Sequence, residues 1–353
     1  MTELQYLIRK ADTWTLTLVV LWLFVPGGPA LAQPSAATLK VELRNVVEYQ
    51  VDTSDLSKWG TNPNSTPGKI LQGMGVGCAG VPAVIYGDIV TVNGNPAKGT
   101  YVAEKVSVCM SPTPSPGLNA IADVSANSVA YETYYILQTD ATPVGSIMTE
   151  GLNAVSPSPP GPPAGSLNFA IVGGTGAFLG ARGQTGNAAQ GLGMAAIPIR
   201  AASITEDPAN RRQNGGGHVV FTLYVVPQSV PGVAVTPGGP AVTHSADFSL
   251  VTASKPAAAG EILTLFATGF GPTRPALSPG QTFPSTPLAV VNSPVAVTVN
   301  GNAAEVLSAT GYPGTTDGYQ INFRVPADTT KGIATIVVSA AWIEGPPVTI
   351  PVQ

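Results

Sequence analysis

The chain has 353 residues, a net charge of −4 and only 10% charged residues. With no basic stripe and no Arg/Lys cluster interleaved with aromatics, nucleic acid is excluded as an expected partner, and an apolar fraction of 44% excludes a disordered chain. The 40 glycines and 34 prolines favour a turn-dense all-β protein over a helical one, and the length suggests two domains.

Residues 1–32 are expected to be an export signal. Arg9 and Lys10 precede the apolar run from Trp14 to Val25, and then come helix-breaking Pro26-Gly27-Gly28-Pro29 and a small-x-small site, Ala30-Leu31-Ala32. Cleavage between Ala32 and Gln33 would leave a secreted chain, periplasmic or extracellular, with no membrane attachment. An uncleaved anchor is the rival reading, although the run is short for a bilayer. In an oxidising compartment Cys78 and Cys109, the only cysteines, are expected to form a disulfide that contributes roughly 3–4 kcal/mol.

The first strand signal is Leu39-Lys40-Val41-Glu42-Leu43-Arg44, where apolar and charged residues alternate. Residues 84–92 and 100–109 flank Asn93-Gly94-Asn95-Pro96, a strong hairpin signal. Further strands are expected at Tyr131 to Gln138, around Ser146-Ile147-Met148, at Phe169 to Val172 and at His218 to Val226. Such a series of antiparallel strands suits a small closed barrel. The proline-rich stretches 111–117 and 156–165 are expected as solvated loops.

Two glycine patterns imitate nucleotide-binding loops. Gly174-x-Gly176-x-x-x-Gly180 has the wrong spacing and is followed by Gly183, Gly186, Gly191 and Gly193, so no helix N-terminus follows to hold a phosphate. Gly75-x-Gly77-x-x-Gly80 has the right spacing, but Pro82 and a β-prone run stand where the helix should start. Neither calls for a cofactor, and none is expected. His218 and His244 lack a metal-ligand spacing and no G-x-S-x-G elbow accompanies them, so no metal site or catalytic triad is expected.

The segment Phe169-Ala170-Ile171-Val172-Gly173-Gly174-Thr175-Gly176-Ala177-Phe178, with Gly180-Ala181-Arg182-Gly183, resembles the signature of the allene oxide cyclase and dirigent proteins. The resemblance covers about residues 38–228 and implies an antiparallel β-barrel. In the motif the glycines would permit a tight bend, Phe178 would pack back onto the core, and Arg182 would brace the turn or meet a ligand. The family contains both enzymes and non-enzymes. Dirigent members use charged residues just before the glycine motif, and here 159–168 holds none. Cyclase members use a glutamate inside an apolar barrel; Glu48, Glu104 and Glu132 are strand glutamates that could point inward, with Glu104 and Glu132 as the catalytic candidates, and the rival reading, which holds for most strand glutamates, places each on the solvent face. Tyr131, Tyr134 and Arg182 are candidate ligand contacts.

From 229 to 241 the chain is rich in Val, Pro and Gly and is expected to be a linker, so that residues 33–228 form the barrel domain and 242–353 a second one. Gly260 to Pro272, Val297-Thr298-Val299-Asn300-Gly301, Tyr319 to Pro326 and Val348 to Val352 resemble an immunoglobulin-like β-sandwich found at the ends of many secreted bacterial proteins. That resemblance implies an accessory or docking module with an unidentified protein partner. The expected function is binding of a small hydrophobic or aromatic ligand in the barrel. The alternatives are a cyclase or isomerase acting on a hydrophobic substrate and a structural envelope or adhesion component.

Overall fold

A computed structural model describes residues 36–51, 83–109, 126–156, 169–186, 199–202, 217–278 and 280–353. The expected signal with its Ala32/Gln33 site, the Gly75–Gly80 loop, Cys78, and the side chains of Cys109 and Glu48 lie outside the described residues, as does the expected disulfide. Every regular element among the described residues is a strand, and residues 36–353 form one compact unit.

The first half is a closed, eight-stranded antiparallel barrel. Its strands are β1 (Ala37–Val51), β2 (Ala83–Val92), β3 (Lys98–Cys109), β4 (Ala126–Leu137), β5 (Pro143–Ser156), β6 (Ala170–Gly176), β7 (Arg182–Thr185) and β8 (Gly217–Val226). Each pairs with the next in chain order. Strand β1 closes the ring by pairing with β2 on one side, Glu42 opposite Thr91, and with β8 on the other, Val41 opposite Phe221. Closure pairs each of these eight strands on both sides, and a short strand, Ile199–Ala202, runs parallel to the end of β1. The alternation read in β1 is the reason its register is fixed: Leu39, Val41 and Leu43 are fully buried, whereas Lys40 and Arg44 are exposed. The β2–β3 hairpin turns through Asn93 and Gly94, both left-handed at φ 51° and 77°, and the Asn93 side chain accepts the Lys40 amide at 2.7 Å, tying the turn to β1.

The glycine-rich motif makes the reversal after β6. Gly176 is left-handed at φ 63°, and the chain then coils through Ala177–Gly180, with the Phe178 amide donating to Thr175 O and the Ala181 amide to Phe178 O. A Cβ on Gly174 would collide with the Phe178 carbonyl, so only glycine allows the turn to fold back this closely. The result is that Phe178 enters the end of the barrel, 1% exposed.

The second half is one continuous curled sheet. Its main strands are β9 (Gly232–Val233), β10 (Val242–His244), β11 (Ile262–Thr268), β12 (Val295–Val299), β13 (Asn302–Gly311), β14 (Tyr319–Arg324), β15 (Gly332–Ala340), β16 (Ile343–Glu344) and β17 (Val348–Val352). The order is β9-β11-β14-β13-β12-β15-β16, with β10 beside β11 and β17 beside β15. Strand β13 makes the curl: its first residues pair with β12, and after Ala304 it crosses over to pair with β14. Leu263, Leu265, Ile321, Phe323, Ile336 and Val338 fill the space that the curl encloses.

Two features differ from the sequence reading. The stretch 229–241 is not a free connection. Gly232 and Val233 pair with Thr268 and Ala267, Val235–Thr236 pairs with Gly239–Pro240, and Val233 is buried in the second core. Proline and glycine suit a short edge strand as well as a linker, which is why composition misled here. The halves also share packing. The turn between β15 and β16, Ala341-Trp342, reaches the barrel, where Ala341 and Ile343 join the barrel core and Trp342 packs against it. Across the same junction Gln138 donates to Asn292 O at 2.5 Å and Arg274 to the Thr142 hydroxyl at 2.6 Å. Limited proteolysis of the folded protein should therefore spare 229–241; a first cut within that stretch under native conditions would contradict this packing.

Candidate functional site

Strand β4 carries the sequence Ala130-Tyr131-Glu132-Thr133-Tyr134-Tyr135-Ile136. Ala130, Glu132, Tyr134 and Ile136 share one parity and are buried, whereas Tyr131 and Tyr135 stand on the outer surface, 45% and 42% exposed. Glu132 is thereby carried into the barrel, where it is 6% exposed among apolar residues. Its neighbours across the sheet are Ala103 on β3 and Thr149 on β5.

The carboxylate is held by hydroxyl groups from three adjacent strands. Tyr101 of β3 donates to Oε1 at 2.8 Å, Tyr134 of β4 to Oε2 at 2.9 Å, and Thr149 of β5 to Oε2 at 2.7 Å. A bare carboxylate in such a place costs several kcal/mol, and charge-assisted hydrogen bonds of about 1.5–3 kcal/mol each are the means of offsetting that cost. The Tyr101 and Tyr134 rings lie one inward position closer to the second half. They contact each other and Phe221, with centroids 5.0, 5.2 and 5.6 Å apart. The three rings form an aromatic floor with two hydroxyls aimed at Glu132. On the same parity, Ala103 and Ala130 offer only methyl groups beside the carboxylate.

Burial first, and then the negative charge of Glu132, push the Tyr134 phenol well above its ordinary value. The phenol therefore stays protonated, and a donor to Glu132, at neutral pH. Chemically, the cluster offers an acceptor carboxylate flanked by two phenols in an apolar setting, an arrangement able to orient a polar group of a ligand or to exchange a proton with it.

Of the residues singled out in the sequence, Glu132 and Tyr134 meet here. Glu104 is exposed on the outer wall, as are Tyr131 and Arg182, so these three are corrected: each lies on the outward parity of its strand. Gly173, Gly174, Thr175, Gly176, Phe178, Gly180 and Gly183 build the turn and its plug rather than the site. Sequence reasoning missed Tyr101 and Thr149. The available signal was their place on the buried parity of their own strands, Tyr101 with Ala103 and Thr149 with Ile147. The histidines are placed apart. His218 sits on the outer wall, 3.0 Å from Glu42, and buried His244 lies between Glu261 (2.5 Å) and the Lys255 carbonyl (3.2 Å) in the second half. Among the described residues no cluster of His, Cys, Asp and Glu has the arrangement of a metal centre, and no helix is long and apolar enough to cross a membrane. The chain matches no protein-family model and no curated protein.

Two outcomes follow for Tyr134. At neutral pH, Tyr134→Phe removes one charged hydrogen bond and should lower unfolding stability by about 1.5–3 kcal/mol in urea titrations. The raised folded-state pKa also gives a pH dependence. The neutral phenol is favoured by the fold, so its contribution is complete below the unfolded value of about 10 and is lost as pH rises beyond it toward the folded value. Stability should fall above pH ~10, and Tyr134→Phe should make that fall shallower. Buried Tyr319, also raised, accounts for a remaining slope. An alkaline profile that Tyr134→Phe leaves unchanged would contradict the placement.

Proposed function

We propose that the barrel is a small-molecule site for an apolar or aromatic ligand whose polar group meets Glu132, carried by an exported protein with a second, accessory sheet. The observation that carries this reading is the buried carboxylate itself. A barrel of eight strands is wide enough to be filled by side chains or to hold one small ligand. For stability alone, an apolar side chain of similar volume serves a core as well as a carboxylate at its centre, or better. A site built to recognise a ligand does gain, because a single fixed polar group in an apolar surround confers orientation and selectivity. The closed antiparallel barrel agrees with the resemblance to allene oxide cyclase and dirigent proteins, and the 1–32 segment supports export.

One observation favours a second reading, an intramolecular cyclase or isomerase. Glu132 stands beside phenols, away from the outer surface, where a carboxylate can serve as a general base without competition from bulk water. Glu132 is then the proton acceptor, and Tyr101 and Tyr134 keep it oriented.

The test is uptake of the neutral dye N-phenylnaphthylamine, followed by its fluorescence. Ala103→Trp and, separately, Ala130→Phe place bulk at inward positions beside Glu132 and should each weaken uptake at least about tenfold, with circular dichroism confirming an intact barrel. Glu132→Gln keeps the volume and should leave the dye affinity within about tenfold. Unchanged uptake in both bulky variants, correctly folded, would show that the dye binds elsewhere and would overturn the reading. A substrate turned over by the wild type and bound but not converted by Glu132→Gln would establish the enzymatic alternative.

A further inference from the structure

The outer wall of the barrel carries an arrangement of its own, on the opposite parity from the interior cluster. In the register of β3, β4 and β5, Glu104 stands directly opposite Tyr131, and Tyr131 directly opposite Glu150. All three are exposed, Tyr131 at 45%. Directly opposite residues lie roughly 5 Å apart at Cβ, so a phenol ring open to solvent has a carboxylate on each side. Among the described residues neither carboxylate forms a salt bridge. The surroundings do little to neutralise them: β2, β4 and β5 hold no Lys, Arg or His, and on the outward parity of β3 the one base is Lys98, at the first residue of the strand. Lys40, Arg44, Arg182 and His218 lie on β1, β7 and β8. Tyr135, two outward positions further along β4 and 42% exposed, gives the wall a second open ring, roughly 13 Å from the first.

We propose that this part of the wall is a docking surface for an extended, arginine-bearing segment of a partner protein, with the guanidinium laid on the Tyr131 ring between Glu104 and Glu150 and an apolar side chain of the same segment on Tyr135. Charge complementarity selects the partner. A cation gains both carboxylates and the negative face of the ring, whereas an acidic segment is repelled and a second copy of this chain, meeting the wall face to face, would set carboxylates against carboxylates. Arginine suits the position better than lysine, because a planar guanidinium stacks on the ring and keeps N–H edges for the carboxylates on both sides, while an ammonium is a strongly hydrated point charge. The extended form follows from the separation of the two rings: a strand advances about 3.3 Å per residue with alternate side chains on one face, so residues i and i+4 of the partner match Tyr131 and Tyr135. Because the groups are exposed, each contributes modestly and the affinity falls with salt.

The probes are the capped peptide Ser-Arg-Ser-Thr-Ser-Leu-Ser and its two versions with lysine or glutamate in place of the arginine. Each is titrated into the full chain at low ionic strength, and binding is followed by NMR at the ring signals of Tyr131 and Tyr135, which separates the outer wall from the barrel interior. The arginine peptide should bind about two- to fivefold more tightly than the lysine peptide, and the glutamate peptide should leave both signals in place. Glu104→Gln and Glu150→Gln are exposed substitutions that keep the volume, and each should weaken the arginine peptide about two- to fivefold. Tyr131→Ser, with circular dichroism confirming an intact barrel, should abolish the shift at Tyr135. No shift at Tyr131 with the arginine peptide, or an equal shift with the glutamate peptide, would overturn the surface. Unchanged affinity in the Glu104→Gln/Glu150→Gln double variant would overturn the role of the carboxylates. A dimer in sedimentation that Tyr131→Ser dissociates would assign the wall to a second copy of the chain and overturn the proposal likewise.

Discussion

A carboxylate placed inside an apolar barrel must be answered by donors, and the arrangement around Glu132 shows how far that demand reaches. The donors come from β3, β4 and β5, so the three strands must pair in a single register that sets Ala103, Glu132 and Thr149 side by side and brings Tyr101 and Tyr134 to the adjacent inward position. A slip of one residue would turn the carboxylate toward solvent and the exposed tyrosines inward. The polar cluster thus adds specificity to a barrel whose other inward residues, Leu39, Val41, Leu43, Ile147 and Leu223, would tolerate several packings.

The end of the barrel nearest the second half is closed from two sources. Phe178 comes from within the barrel, set by the glycine turn that follows β6. Ala341 and Ile343 come from the distant β15–β16 hairpin. The turn of that hairpin has two consecutive left-handed residues, Ala341 at φ 50° and Trp342 at φ 61°, neither of them glycine. Such positions normally favour Asn and Gly. Ala and Trp are kept there at some conformational cost, and what they supply in return is apolar surface against the barrel. This is the physical reason for treating the second half as a partner in the barrel's packing, not as a module joined by a tether.

What the sequence makes legible follows from where its patterns are unambiguous. Strand β1 alternates apolar with charged residues, so both its strand character and its buried face can be read directly, and Asn93-Gly94 announces the hairpin beside it. Strand β4 is harder: Ala130, Tyr134 and Ile136 occupy one parity while Tyr131, Tyr135 and Leu137 occupy the other, and either set could face a core. Glu132 therefore reads first as a surface residue, as most strand glutamates are, and only the pairing with β3 and β5 turns it inward. Thr149 signals its burial only by sharing the parity of Ile147, and its role is unremarkable until its hydroxyl is seen against a carboxylate. The stretch 229–241 and the Ala341-Trp342 turn depend on contacts between residues far apart in the chain, which local composition does not encode.

The central claim is that the barrel interior admits a small molecule whose polar group meets Glu132. The most direct measurement is an experimental structure of the protein soaked with an apolar aromatic alcohol. The account predicts a molecule inside the barrel, its ring above the Tyr101–Tyr134–Phe221 floor and its hydroxyl within hydrogen-bond distance of the Glu132 carboxylate. A barrel axis filled throughout by protein side chains, with no soaked molecule inside, would contradict it.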